Sequence, residues 1–124
     1  MVQVENEYGF DPNHDLKYMN HLKEIFKKYL GSDIILSTND PPDASYLQYG
    51  TLDGTLATTD FGPEHDPIHA FQTLRDSNHS GPMVNNEFYP GWIDCWGHPH
   101  QTKPTDIFVK SLDKILAMNV SVNM

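Results

Sequence analysis

The chain has 124 residues, of which 38% are hydrophobic and 11% aromatic, a composition typical of a folded domain rather than of a disordered segment. Seventeen acidic residues against eight basic ones give a net charge of −9 at pH 7, which argues against nucleic acids and anionic membranes as partners. The sequence holds no run of about 18 apolar residues, so we predict no membrane span. A neutral or cationic small molecule suits this charge better as a ligand.

Cys95 is the only cysteine, which excludes a disulfide within the chain and a zinc cluster built on cysteines. We expect it to be a small buried residue. The first residues turn acidic within a few positions and do not resemble a signal peptide, so we interpret Met1 as an internal methionine. Asn78 and Asn119 each open an Asn-x-Ser pattern, a short glycosylation signal that matters only in a secreted protein.

Apolar patterning predicts strands and helices in alternation along the chain. In chain order the predicted elements are strand 1–5, helix 15–30, strand 33–36, strand 55–59, helix 67–75, strand 82–85, helix 107–116 and strand 120–122. The first helix has apolar residues every three or four positions and lysines on its other face, and Gly31 supplies its stop. Pro67 suits the first turn of the second helix.

The predicted strands follow one another at roughly the length of a βα unit, which indicates an α/β fold. An eight-unit barrel averages roughly 31 residues per unit, so we predict the middle-to-end portion of a TIM (β/α)8 barrel. A doubly wound α/β domain is the rival fold. That fold expects a glycine-rich phosphate turn after its first strand, and the sequence contains no such arrangement of glycines.

Polar residues follow four of the predicted strands, where a βα barrel carries its reactive groups. They are Asn6-Glu7, Asp40, Asp60 and Asn86-Glu87. We expect Asp40 and Asp60 to shape turns or to cap the following helices, as aspartate commonly does. Glutamate is a poor turn residue, so capping explains the two Asn-Glu pairs badly.

Glu7 and Glu87 are therefore candidates for paired chemistry. Two carboxyl groups in one cleft can hydrolyse a glycoside, since one protonates the leaving oxygen while the other attacks the anomeric carbon or activates water. Aromatic residues follow both glutamates and could stack on sugar faces; they are Tyr8, Phe88, Tyr89 and Trp92.

Two segments resemble the retaining β-galactosidases of glycoside hydrolase family 35. Residues 2–9, VQVENEYG, resemble the acid/base segment of that family, and residues 81–92, GPMVNNEFYPGW, resemble its nucleophile segment. Shorter stretches at residues 59–62, 96–100 and 121–123 are also similar, so the likeness extends over nearly the whole chain.

The resemblance implies a role for each candidate residue. Glu7 would be the general acid/base at the end of barrel strand four, and Glu87 the nucleophile at the end of strand seven. Retention of configuration would require their carboxyl groups about 5 to 5.5 Å apart, with a covalent galactosyl-enzyme intermediate. Asn6 would contact the hydroxyl next to the anomeric carbon. Tyr89 would orient Glu87, and Trp92 would line the galactose pocket.

The resemblance also implies the extent of the domain. Residues 1–124 would form the C-terminal part of one incomplete catalytic barrel, from strand four to the start of strand eight, acting on β-galactoside glycans. Half a barrel leaves strand edges unpaired, so we expect this segment alone to aggregate or to stay partly molten. Family members are commonly lysosomal or secreted. Three features depart from the family pattern: residues 10–12, Pro90 and Cys95.

Two other functions stay open at this point. A homologue could keep the galactoside pocket without the reaction, although the presence of both glutamates argues against this. A metal-binding module could use the pairs His65 with His69 and His98 with His100, but Pro67 interrupts the first pair. We expect surface or loop histidines, and neither a metal nor another cofactor is needed for a two-carboxylate mechanism. The oligomeric state is left open.

Overall fold

The computed structural model describes residues 1–77 and 79–124, and the Asn78 glycosylation pattern lies outside the described residues. The strands are β1 Val2–Asn6, β2 Leu36–Asp40, β3 Leu56–Thr59, β4 Val84–Asn85 and β5 Val122–Asn123. The α-helices are α1 Leu16–Leu30, α2 Ala44–Gly50, α3 Pro67–Asp76 and α4 Thr105–Ala117, and a 3₁₀ turn spans Tyr8–Phe10. This alternation confirms the predicted α/β class.

Within the described ranges the strands form one parallel sheet in the order β1-β2-β3-β4-β5. Each strand pairs with the next one along the chain, in registers that include Val2 with Leu36, Ser37 with Leu56 and Val84 with Val122. The order does not reverse across these five strands, whereas a doubly wound sheet reverses at its switch point. All five carboxyl ends therefore lie at the same edge of the sheet.

Helix α1 confirms the prediction from its apolar spacing. Asp15 caps its first turn by accepting hydrogen bonds from the backbone N–H groups of Lys17, at 2.9 Å, and Tyr18, at 3.2 Å. Gly31 ends the helix with a φ of 93°, a conformation that favours glycine. On the buried side of the helix, Met19 packs in a small apolar cluster with Val4, Leu36 and Leu52.

The larger apolar core lies against the later strands and helices. Its fully or largely buried members are Leu47, Ala57, Phe61, Ala70, Phe71, Leu74, Phe88 and Ile115. The rings of Phe61 and Phe71 meet edge to face with centroids 5.5 Å apart. This core holds β3 and the segment that follows β4 against α3 and α4.

The largest differences from the predicted elements concern the second strand and a helix that was not predicted. The second strand begins at Leu36 and runs to Asp40, so the polar residues Asn39 and Asp40 belong to the strand instead of following it. All five of its residues are buried, because β2 lies between β1 and β3, and the Asn39 side chain finds hydrogen-bond partners on both neighbouring strands. Helix α2 was missed, since its seven residues are too few to show a clear apolar period.

The expectation that Cys95 is buried was wrong: its side chain is exposed. It lies in the segment between β4 and α4, where Trp92 is 66% exposed and Trp96 fully exposed. This part of the chain has no apolar layer to pack against among the described residues, so its small side chain is not covered.

Expressed alone, residues 1–124 should aggregate or remain partly unfolded. Within the described part of the chain β1 and β5 are open sheet edges, and large apolar side chains such as Ile35 and Leu116 are more than half exposed. We expect binding of a hydrophobic dye and no cooperative thermal transition by circular dichroism. A longer chain that supplies the neighbouring strands should unfold cooperatively. A monomeric, cooperative transition of residues 1–124 would contradict this account.

Candidate active site

Parallel pairing brings four strand ends together at one edge of the sheet. The ladder continues past the strands: the N–H of Glu7 donates to Asn39 O at 2.7 Å, and that of Asn86 donates to Thr59 O at 2.9 Å. The N–H of Phe61 donates to Glu87 O at 3.2 Å. These backbone bonds hold the segments after β1, β3 and β4 beside one another.

A row of polar side chains crosses these strands, which we call the polar row: Asn6, Asn39, Thr58 and Asn86. Asn39 Nδ2 donates to Asn6 Oδ1 at 3.3 Å, and the Thr58 hydroxyl lies 3.2 Å from Asn39 Oδ1. Asn86 Nδ2 donates to Thr58 Oγ1 at 2.9 Å. The polar row therefore joins one side chain from each of β1, β2 and β3 to the segment that follows β4.

Glu7 directly follows β1 and has an unusual backbone. Its φ of 49° and ψ of 41° lie in the left-handed region, which costs of order 1 kcal/mol for a residue with a side chain. This conformation turns the chain from β1 into the 3₁₀ turn. The half-buried Glu7 side chain borders a cavity of about 820 Å³, whose walls include Asn6, Tyr8 and Tyr18.

Glu87 follows β4, and its side chain is exposed. Asn39 Nδ2 donates to its Oε1 atom at 3.3 Å. Glu87 borders a cavity of about 470 Å³ together with Tyr89 and Trp92. The rings of Tyr89 and Trp92 meet edge to face with centroids 5.7 Å apart, so an aromatic wall adjoins this carboxylate.

Asp40 and Asp60 do not cap helices, which was one of the two roles that we expected for them. Asp43 caps α2, and Asp66 occupies the cap position of α3. Asp40 is instead buried at the edge of the sheet, where its Oδ1 accepts from the N–H of Gly9 at 2.7 Å. Its position inside β2 left it no exposed helix end to cap.

The close packing around Asp40 explains why residue 50 is a glycine. A Cβ atom on Gly50 would lie 2.0 Å from Asp40 Oδ1, so any side chain there would collide with the carboxyl group. Helix α2 therefore ends on glycine where it passes Asp40. This close approach also removes water from the aspartate.

Burial raises the pKa of Asp40 to about 7; the Gly9 hydrogen bond opposes the rise, and the negative charge of Glu7 adds to it. Burial likewise raises the pKa of Asp60, and a hydrogen bond with the Glu7 side chain and the charges of Glu7 and Glu87 act in the same direction. Asp60 thus lies in contact with Glu7 and within the electrostatic field of Glu87.

Tyr89 lies beside Glu87 and carries a hydroxyl group on its aromatic ring. Burial raises the pKa of its hydroxyl, as do the charges of Asp60 and Glu64. The hydroxyl is therefore protonated across the physiological range and available as a hydrogen-bond donor. Its ring packs over Gly62, where a Cβ atom would lie 2.7 Å from Tyr89 Cε2.

The structure thus brings the predicted residues Asn6, Glu7 and Glu87 to one edge, linked through Asn39 and Asp60. Tyr89 and Trp92 lie on the Glu87 side. Sequence reasoning missed Asn39, because the predicted strand 33–36 ends before it. The one available signal was its place between the apolar run 33–36 and Asp40, which would suit the carboxyl end of a buried strand.

The histidines do not gather at this edge. His65, His69, His98 and His100 are exposed, as expected for surface or loop residues, and His100 Nδ1 lies 2.6 Å from Asp94 Oδ2. Among the residues that the structure describes, no group of three or more potential metal-ligating side chains comes together. None of the helices in the described ranges is long and apolar enough to cross a membrane.

Carboxyl groups and aromatic rings gathered at the carboxyl edge of a parallel α/β sheet are typical of the active site of an α/β enzyme. The family model described as Glycosyl hydrolases family 35 matches residues 1–124, and the chain belongs to that family. The family resemblance noted in the sequence is confirmed.

Similar proteins carry names that agree with this family. The chain is 46% identical over 123 residues to a protein named "Beta-galactosidase" from Canis lupus familiaris and 45% identical to one of the same name from Felis catus. It is 43% identical to "Beta-galactosidase-1-like protein" from Mus musculus. Each match covers 99% of this chain. The chain spans only 18% of the length of the first two relatives and 19% of the third.

Asp40→Asn should reduce the pH dependence of stability, while the part that comes from the raised pKa of Asp60 should remain. The Asp40 pKa rises from 3.8 to about 7 on folding, so the folded state binds the proton more tightly and stability falls as the pH rises between those values. The loss approaches about 1.4 kcal/mol per pH unit within that window. The amide can still accept from Gly9 but cannot ionise. Thermal midpoints of the full-length protein from pH 4 to 8 measure this effect.

Asp33→Asn is the matched control, because Asp33 is an exposed aspartate in the turn before β2. It should reproduce the wild-type pH dependence. If Asp40→Asn also followed the wild-type curve, the buried aspartate would not be the group that responds to pH.

Proposed function

We propose that the protein to which this chain belongs is a retaining exo-β-galactosidase that removes terminal, non-reducing β-D-galactose from glycans. Glu7 acts as the general acid/base and Glu87 as the nucleophile. The observation that carries this proposal is the joining of the two glutamates through Asn39 and Asp60 at one edge of the sheet. Family membership and the names of the relatives support the same reaction.

The reaction proceeds by two displacements. In the first, a Glu87 oxygen attacks the anomeric carbon while Glu7 gives its proton to the leaving oxygen, and a galactosyl ester forms on Glu87. In the second, Glu7 takes a proton from water, which attacks the same carbon and releases Glu87 as a carboxylate. Both steps require the two carboxyl groups about 5 to 5.5 Å apart.

Asn6 is proposed to donate to the sugar hydroxyl next to the anomeric carbon. Its Oδ1 atom already accepts hydrogen bonds from Gln3 Nε2 at 2.9 Å and from Asn39 Nδ2 at 3.3 Å. The Oδ1 atom thus has two donors, and the N–H groups of the same amide are available to donate to a sugar hydroxyl. A donor in this place can strengthen its hydrogen bond as charge develops in the transition state.

Tyr89 and Trp92 are proposed to hold the galactose ring. Their edge-to-face pair borders the cavity beside Glu87, and a flat aromatic surface suits the apolar face of a sugar. The protonated Tyr89 hydroxyl could also orient the Glu87 carboxylate as a donor.

The five strands are proposed to be strands four to the start of eight of a TIM (β/α)8 barrel. Their parallel, sequential order supports this assignment, as does the collection of polar side chains at the carboxyl ends. Residues 1–124 then form the C-terminal part of one catalytic domain. The remaining strands of the barrel would come from outside this segment.

The proposed substrate is a neutral glycan. The net negative charge of the chain is compatible with a neutral ligand and disfavours a nucleic acid. A lysosomal or secreted location stays a prediction.

Glu87→Gln in the full-length protein should lower kcat by at least about 10³-fold, because the amide cannot attack the anomeric carbon. Glu7→Gln should lower kcat about 10²–10⁴-fold on natural galactosides and much less on aryl galactosides whose leaving groups need no proton. Steady-state kinetics with both substrate types checks these changes.

Glu24→Gln, an exposed glutamate on α1, should leave both rates unchanged. Normal turnover by Glu87→Gln would overturn the proposal. A wild-type protein that binds galactosides without cleaving them would instead favour the non-catalytic homologue.

A further inference from the structure

We propose that Asn39 is a positioning residue for Glu87: its amide holds one oxygen of that carboxylate so that the other oxygen faces the anomeric carbon. This inference deepens the proposed function and rests on it. Asn39 belongs to β2, whereas Glu87 follows β4, and the two are 48 positions apart in the sequence.

Asn39 is itself held firmly. Its side chain is completely buried, between the residues of β1 and β3 that it pairs with. Its two Nδ2 hydrogens serve two acceptors, Asn6 Oδ1 and Glu87 Oε1, each at 3.3 Å. A buried amide with a partner on each side loses little further freedom when substrate binds.

The chemistry of the partners fixes the orientation of the Asn39 amide. An ionised Glu87 carboxylate can only accept, so the amide must turn its NH₂ group toward it. On the other side lies the Thr58 hydroxyl, 3.2 Å from Asn39 Oδ1 and 2.7 Å from Thr38 O, so its one hydrogen is shared between these two acceptors. The reversed amide would set an oxygen against the Glu87 carboxylate and is unfavourable.

Glu87 needs such support because its own side chain is exposed and lies beyond the end of β4. Within residues 1–77 and 79–124, Asn39 is the side chain that donates a hydrogen bond to the Glu87 carboxylate. Without this bond, several rotamers of Glu87 become accessible and few of them direct an oxygen at the sugar. Loss of orientation at the reacting atom can cost about 10²-fold in rate.

The charged side chains near Asn39 all end in carboxyl groups. Glu87 accepts from its side chain, Glu7 donates its backbone N–H to Asn39 O, and Asp40 is the next residue on its own strand. Asp60, in the segment after β3, forms a hydrogen bond with the Glu7 side chain. A new carboxyl group in place of the amide would therefore ionise poorly. In its protonated form it can still donate to Glu87.

The test uses Asn39→Ala and Asn39→Asp in the full-length protein, with the concentration of working sites measured by titration with a 2-deoxy-2-fluoro-β-galactoside. We expect Asn39→Ala to lower kcat per titrated site about 10–100-fold while KM changes less than about threefold. Asn39→Asp should be slow near neutral pH and recover in part as the pH falls, since the new carboxyl group then becomes a donor. Asn20→Ala, an exposed asparagine on α1, is the control and should match wild type.

A purely structural role would reduce the number of titrated sites and leave kcat per site unchanged, and that result would overturn the inference. Because Asn39→Asp conserves shape, it keeps the inference testable if Asn39→Ala fails to fold. Failure of the proposed function would look different, since Glu87→Gln and Glu7→Gln would then remain active. If those two variants are inactive and both Asn39 variants turn over normally per site, only the role of Asn39 is wrong.

Discussion

In-order parallel pairing of β1 to β4 is the constraint on which the rest of the molecule depends. Because each strand pairs with its successor, the carboxyl ends align and residues distant in sequence meet at one edge. The polar row then ties these ends together with side-chain hydrogen bonds, each worth about 1 kcal/mol net. A shift of one residue in β2 would turn Asn39 to the opposite face of the sheet and break the row.

This edge contains several locally unfavourable features. Glu7 adopts a left-handed backbone, and two aspartates are buried where their charged forms are disfavoured. The apolar core around Phe61 and Phe71 lies directly behind β3 and supplies stability that these residues do not. Strain and buried carboxyls gathered in one place are typical of a functional site.

The sequence predicted the parts of the structure that depend on local patterning. Helix α1 has a strong apolar period and clear end signals, so its bounds were predicted closely. Helix α2 is too short for a period to appear, and the bounds of β2 were misplaced because polar residues inside a buried strand resemble a turn. Cys95 was misjudged, since the packing of an irregular segment leaves no local signal.

The residues of the candidate site also differ in how far the sequence predicts them. Glu7 and Glu87 stand in long motifs that single them out, whereas Asn39 and Asp60 acquire their importance only from partners on other strands. The Asn39 contact with Glu87 joins two segments that share no pattern in sequence, so only the three-dimensional pairing reveals it. Hydrogen bonds between distant segments are what sequence reasoning lacked here.

The central claim is that Glu7 and Glu87 act on the same sugar. A crystal structure of the full-length protein after reaction with a 2-deoxy-2-fluoro-β-galactoside tests it most directly. The account predicts a covalent bond from the anomeric carbon to Glu87, with the Glu7 carboxyl about 5 to 5.5 Å from that of Glu87. A sugar attached to another residue, or the two carboxyl groups more than about 10 Å apart, would contradict it.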